Sequence, residues 1–165
     1  MKLKNIKCSM FTDGLVKDGL KRSETYSFKL DSVTVFIFGH TPHHLNVTGL
    51  KCLEEVQSTR EKIESSFEVK CTDIRVDNIF ISHKDTKNLE MSKVYDYVRL
   101  MYYTLYLVDY NIEIFPGMFL KPKCKGWPTM ILFRTGSFQI LGGKDMHSIL
   151  EAQSIVQHII SKFIK

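Results

Sequence analysis

The sequence lacks the features that would tie its 165 residues to a reaction or to a secreted life. Its four cysteines, Cys8, Cys52, Cys71 and Cys124, are scattered with no C-x-x-C pair. That spacing argues against a disulfide frame and a zinc site, and it reads as reduced, mostly buried thiols of an intracellular protein. Met1-Lys2-Leu3-Lys4 is charged and leads into no long apolar run, so no signal peptide is expected. The aromatic-rich run from Tyr95 to Tyr110 is broken by Asp96, Arg99 and Asp109, which excludes it as a helical membrane span. There is no G-x-S-x-G, no H-E-x-x-H and no phosphate loop, and Gly142-Gly143-Lys144 lacks the preceding glycine spacing. The carboxylates are dispersed with no acid and base pair, so neither an enzyme nor a cofactor is expected. His40, His43 and His44 cluster in a turn without an acidic or cysteine partner, and His83 near Asp85 is a weaker pairing still. No metal site is expected from either.

What is present is apolar and basic. Hydrophobic residues make up 44% and aromatics 12%, enough for a core, which argues against disorder. The net charge of +5 favours an anionic partner, nucleic acid or a membrane surface, although many soluble proteins are as basic. The length suits one compact domain, or two small halves sharing a sheet. No stretch rich in Pro, Gly or Ser divides it.

The strongest internal signal is a segment that occurs twice. Val35-Phe36-Ile37-Phe38 leads through a turn to Leu45-Asn46-Val47-Thr48-Gly49-Leu50-Lys51, and Ile131-Leu132-Phe133 leads through Arg134-Thr135-Gly136-Ser137 to Phe138-Gln139-Ile140-Leu141-Gly142-Gly143-Lys144. A helix-like segment follows each. Asn5-Ile6-Lys7-Cys8-Ser9 is echoed in the same order by Asn78-Ile79-Phe80-Ile81-Ser82. The chain therefore reads as a duplicated unit, with a first repeat over 1–70 and a second over 71–165, together one domain. Such pseudo-twofold symmetry suits a nearly symmetric ligand such as duplex DNA.

Alternation and helical spacing supply the elements. Strands are expected at Lys2 to Phe11, Tyr26 to Leu30, Val33 to Phe38, Leu45 to Thr48, Ile74 to His83, Ile112 to Lys121, Thr129 to Arg134 and Ser137 to Leu141. Helices are expected at Leu53 to Phe67, Leu89 to Val108 and Met146 to Phe163. The stretch from Phe11 to Ser23, punctuated by Gly14 and Gly19, is too short for a long helix. The fold class is α+β, an antiparallel sheet with helices on one face.

Ile112-Glu113-Ile114-Phe115-Pro116-Gly117-Met118, Lys121-Pro122, Met130 to Phe133, Gly136 and Gly142-Gly143-Lys144 together resemble the second repeat of the TATA-box-binding protein family. Asn5-Ile6, Val35 to Phe38 and Val47 to Lys51 resemble its first repeat, so the likeness spans almost the whole chain. It implies a saddle: two pseudo-symmetric repeats forming one curved antiparallel sheet with helices on the convex face. It implies a transcription initiation factor that lies in the minor groove of A·T-rich promoter DNA, inserts Phe wedges and bends the duplex. The Lys- and Ile-rich composition and the trimmed first half, with its first helix reduced or lost, imply a divergent member, of the kind a large DNA virus would carry. It would act in the nucleus, or in a cytoplasmic virus factory.

The resemblance also assigns roles. Phe115 and Phe133 match the wedge pair of the second repeat, eighteen residues apart at the root of a long hairpin. Phe38 matches one wedge of the first repeat, and Phe28 is the candidate for the other, with core packing as the competing reading. Asn5 and Asn78 would stand at the centre of the groove floor with Thr48. Lys7, Phe80 and Leu141 are departures there and put base preference in question. Phosphate contacts fall to Lys51, Lys144 and Arg134 by motif, and to Lys29, Lys121, Lys123 and Lys125 by their place on hairpins. Glu113 and Ile114 would meet a transcription factor IIB-like protein and the polymerase machinery, with a heteromer as a further arrangement. The competing function is a saddle kept as a protein-protein adaptor in a transcription complex without its own DNA binding. A third is an accessory domain to a separate nuclease or glycosylase.

Overall fold

The computed structural model describes residues 2–164. In chain order these form β1 (Lys2–Thr12), β2 (Thr25–Leu30), β3 (Val33–Phe38), β4 (Thr41–Leu50), α1 (Glu54–Phe67), β5 (Cys71–His83), α2 (Met91–Met101), β6 (Tyr106–Asp109), β7 (Gly117–Pro122), β8 (Thr129–Phe133), β9 (Phe138–Gly143) and α3 (Met146–Phe163). The observed strand pairs are antiparallel. By packing, the chain divides into an N-terminal unit, Lys4–Asn78, and a C-terminal unit made of Ile79–Lys165 with Met1–Leu3. The boundary lies inside β5 and not before it.

In the N-terminal unit the strand order is β2-β3-β4-β1. The β2–β3 connection is a two-residue turn, Asp31-Ser32, with Asp31 at φ 54 in the left-handed region that aspartate tolerates. Val33, Val35 and Ile37 alternate with Thr34, Phe36 and Phe38, and only the first set is buried. Register carries that parity across the sheet, because directly opposed residues point to the same side. Val35 faces Val47 and Ile37 faces Leu45, so one side gathers an aliphatic core with Ile6, Met10, Leu50 and, from α1, Ile63. No helix stands between β1 and β2. Burial pushes the Cys8 thiol up to about 12, with the Asp77 charge adding to it, and desolvation likewise raises Cys71 to about 11, so both stay protonated at neutral pH. Cys52 and Cys124 are exposed, so only two of the four thiols are buried, fewer than the sequence leads one to expect, because these two lie outside the strands and helices.

In the C-terminal unit the order is β5-β9-β8-β7-β6. Met118, Leu120, Met130, Leu132, Phe138 and Ile140 share one face and are buried. Val94 and Val98 of α2, and Ile149, Ala152, Val156 and Ile159 of α3, complete this core. The first turn of α3 is capped by Asp145, whose carboxylate accepts from the Ser148 amide at 2.8 Å.

Two expectations about this unit are corrected. The helix expected over Leu89 to Val108 stops at Met101, and Tyr106–Asp109 is strand β6. The β-favouring run Tyr102, Tyr103, Thr104, Tyr106 and Val108 carries the reason, since branched and aromatic side chains fit a pleated surface better than a helix. The amides of Leu105 and Tyr106 both turn back to the Tyr102 carbonyl. The strand expected from Ile112 begins only at Gly117, because Asn111 folds the preceding segment into a turn. In the N-terminal unit, β4 begins at Thr41, so His43 and His44 lie on a strand and not in a turn.

Candidate nucleic-acid interface

Each unit has a second sheet face, opposite its core. In the C-terminal unit the register places Gly117 beside Phe133, Phe119 beside Ile131, Ile131 beside Gln139 and Thr129 beside Leu141, all on that side. Phe119, Phe133, Thr129, Gln139 and Leu141 are partly exposed there. Phe80 is also partly exposed, between the buried Ile79 and Ile81.

Three rings gather at the root of the β7–β8 hairpin. The Phe115 and Phe133 centroids lie 5.9 Å apart at 61°, edge to face, and Phe119 lies 5.2 Å from Phe115. Phe115 is set by the Asn111 turn: the Asn111 carbonyl accepts from the Ile114 and Phe115 amides, and its side chain accepts from the Glu113 amide. Phe133 is set by the opposite turn, where its amide donates to the Ser137 carbonyl and its carbonyl accepts from the Gly136 amide. Gly117 is the floor on which the rings rest. A Cβ there would lie 2.6 Å from Ile131 Cγ2, 2.7 Å from the Phe115 ring and 2.9 Å from the Phe133 ring. With 37% of its surface exposed, Phe115 is held but not sealed.

The N-terminal unit presents a more polar face. One row runs Lys7, Thr48, Thr34, Lys29, and the next runs Ser9, Asn46, Phe36, Ser27. The Asn5 side-chain oxygen accepts from the Gly49 amide at 2.7 Å, which fixes its orientation. Asn78 is partly exposed on β5, within this unit. Phe38 lies on this face opposite Thr25, with His40 5.8 Å away.

The first-repeat wedge expectation is corrected at Phe28. Phe28 is opposite Val35, a core residue, and its ring packs 5.1 Å from that of Phe67 at the end of α1. It therefore lies on the helix side of the sheet. Comparing the hairpins explains the miss: Thr25 faces Phe38 as Gly117 faces Phe133, so the position of Phe115 is taken by Ser23. The two equivalent hairpin roots are chemically unequal, a ring pair in one unit and a lone ring in the other. Truncating Phe28 to alanine is accordingly expected to cost about 2 kcal/mol of stability, below the range for a fully buried ring. Chemical denaturation checks this; a change in DNA bending with stability unchanged would overturn the assignment.

The basic candidates differ in how committed they are. Lys51 donates to the Lys4 carbonyl at 2.7 Å, Lys123 donates to the Tyr103 carbonyl, and Arg134 donates to Asn88 Oδ1 at 2.9 Å. Lys121 pairs with Asp109 at 2.9 Å and lies over the Phe119 ring. Lys29, Lys125 and Lys144 are exposed. Glu113 and Ile114 project from the turn before Phe115, and Ile114 is 82% exposed. Sequence reasoning missed Phe36, Asn46, Phe119 and Gln139 on these faces. The available signal was strand parity, since each stands two residues from a residue already singled out.

No family model matches the chain, and no curated protein does. Among solved structures, it superposes on the TATA-box-binding protein of Methanococcus jannaschii with a TM-score of 0.67, covering 98% of each chain at 18% identity. The fold is that of a TATA-box-binding protein. At this identity the likeness speaks for the α+β architecture alone. The TATA-box-binding-protein fold accommodates the core positions by apolar parity, which many sequences satisfy.

Proposed function

We propose that this chain is a divergent TATA-box-binding-protein-like initiation factor that binds the DNA minor groove and kinks it with Phe115 and Phe133. The observation that carries the reading is the partly exposed ring pair seated over Gly117 on the sheet face opposite the helices, where Ile131 alone of the hairpin's side chains on that face is buried. An apolar wedge of this kind unstacks a base step and bends DNA toward the major groove, at a cost of about a few kcal/mol that wider contact offsets. Phe38 supplies a single-ring contact in the N-terminal unit. Asn5, Asn78, Thr48, Lys7, Phe80 and Leu141 are proposed as floor residues. Lys29, Lys125 and Lys144 lead the phosphate contacts, with Lys51, Lys121, Lys123 and Arg134 joining by exchanging their present partners. Glu113 and Ile114 are proposed to meet a transcription factor IIB-like protein. The setting is the nucleus or, for a viral factor, a cytoplasmic virus factory, and no catalysis is involved.

Doubly end-labelled A·T-rich and G·C-rich duplexes titrated at two salt concentrations test this. The expected result is a bend favouring A·T. With about five phosphates neutralised, the logarithm of affinity should fall with a slope of about −4 to −5 against log salt. Absence of both binding and bending would sink the reading. A second reading, an adaptor that does not bind DNA by itself, is favoured by Ser23 standing where a ring would be and by Phe28 packing on Phe67. It predicts an unbent duplex at any A·T content.

A further inference from the structure

The free edge of the C-terminal unit's sheet, β6, differs from the corresponding edge of the N-terminal unit. At β2 the Phe28 ring packs on Phe67, Leu30 is partly buried, Tyr26 is exposed with the Lys17 ammonium 5.3 Å over its ring, and the others are Thr25, Ser27 and Lys29. That edge is blunted in the way sheet edges usually are. Around β6 the opposite holds: Leu100, Met101, Tyr103, Leu105 and Leu107 are all more than half exposed.

The main chain of β6 is also available. The Lys123 amide donates to the Leu105 carbonyl at 2.9 Å, so Leu105, Leu107 and Asp109 exchange bonds with β7. By antiparallel alternation, the N–H and C=O of Val108 and the C=O of Tyr106 point away from β7, toward the free edge. Beside that edge, on the helix side, lies a groove of about 440 Å³ walled by Leu105, Pro122, Cys124, Trp127 and Ile155, with Glu151 and Ser154 of α3 on its far side, so apolar side chains suit the groove and acids suit only the lysine end. The Tyr106 hydroxyl in its wall has no hydrogen-bond partner among the described residues. A strand added at β6 would place every second side chain next to Tyr106, over this groove, and the others next to Leu107.

We propose that β6 and its groove dock an extended acidic-apolar segment of a partner protein by strand addition. Main-chain bonds to Val108 and Tyr106 supply affinity, and alternating side chains supply specificity. The charge of the occupant follows from the hairpin tip beside Leu105, where Lys121, Lys123 and Lys125 have Asp109 as their one ion-pair partner among the described residues. The edge and groove take no part in the DNA reading, and the hairpin-tip lysines are shared with it, so the peptide is tested in the absence of DNA.

The experiment pans a phage-displayed library of random nonapeptides on the full chain. The expected consensus alternates large apolar residues and carries acids at the end beside the lysines. A synthetic consensus peptide should then shift the emission of Trp127, the sole tryptophan, and slow exchange of the Val108 amide. Val108→Pro removes the outward amide and should weaken binding about tenfold or more. Leu107→Glu, at a surface position, should weaken it likewise and covers the case in which the proline variant does not fold. Phe115→Ala should bind the peptide as the unaltered protein does. No consensus, a consensus without the apolar and acidic alternation, undiminished binding by the folded edge variants, or self-association through β6 would each overturn the proposal.

Discussion

Phe115→Ala is expected to lower affinity for an A·T-rich duplex about 50-fold, or about 2.4 kcal/mol, and to abolish most of the bend. The loss falls on binding because the ring is partly exposed and has few core neighbours to leave behind. Its edge-to-face contact with Phe133 is worth about 1 kcal/mol, so the melting temperature should drop by about 2–4 °C. Phe38→Ala should weaken binding by only about fivefold, since a single ring without a facing partner unstacks a step less completely. Fluorescence bending assays and thermal melts on the same samples separate the outcomes. A large fall in stability with bending intact would make Phe115 a core residue and return the case to the adaptor. Equal losses for Phe115→Ala and Phe38→Ala would overturn the inequality of the two ends.

Gly117→Ala should destabilise the protein by about 2 kcal/mol, a large effect for one methyl group. The added carbon has nowhere to go: it meets Ile131 Cγ2 at 2.6 Å and the Phe115 and Phe133 rings within 2.9 Å. Relief requires the rings to splay, so bending should weaken along with stability. Ile131→Ala removes the nearest obstacle. The double variant should therefore be more stable than the two separate losses imply, by about 0.5 kcal/mol or more. Denaturant unfolding of the four proteins measures that coupling. Strict additivity, or a Gly117→Ala protein as stable as the original, would mean that the glycine does not set the ring geometry.

The hairpin root shows how far local sequence reasoning reaches. Phe115-Pro116-Gly117 and Phe133 are legible as a ring pair at a hairpin root because short-range motifs fix turns, and turns fix which strand ends meet. Phe28 was not legible in the same way. Its side of β2 depends on pairing with β3 and on where α1 closes, and both are nonlocal. Tyr106 to Asp109 reads as helix from an apolar spacing that suits either element, and its β-favouring residues become a strand through pairing with β7. The edge it creates, with Leu105 and Leu107 bare, was therefore invisible in the sequence.

The sequence by itself determined the alternation that separates a core face from an open one, the two matched segments, the basic balance and the absence of a catalytic motif. Those are properties of residue type and spacing, which the chain carries in any conformation. The tertiary structure alone decided that Phe28 turns toward Phe67, that Ser23 stands where a second ring would be, and that two phenylalanines eighteen residues apart share one glycine floor. Register and helix placement arise from contacts between distant segments, and a shift of one residue in pairing would carry every side chain to the other face.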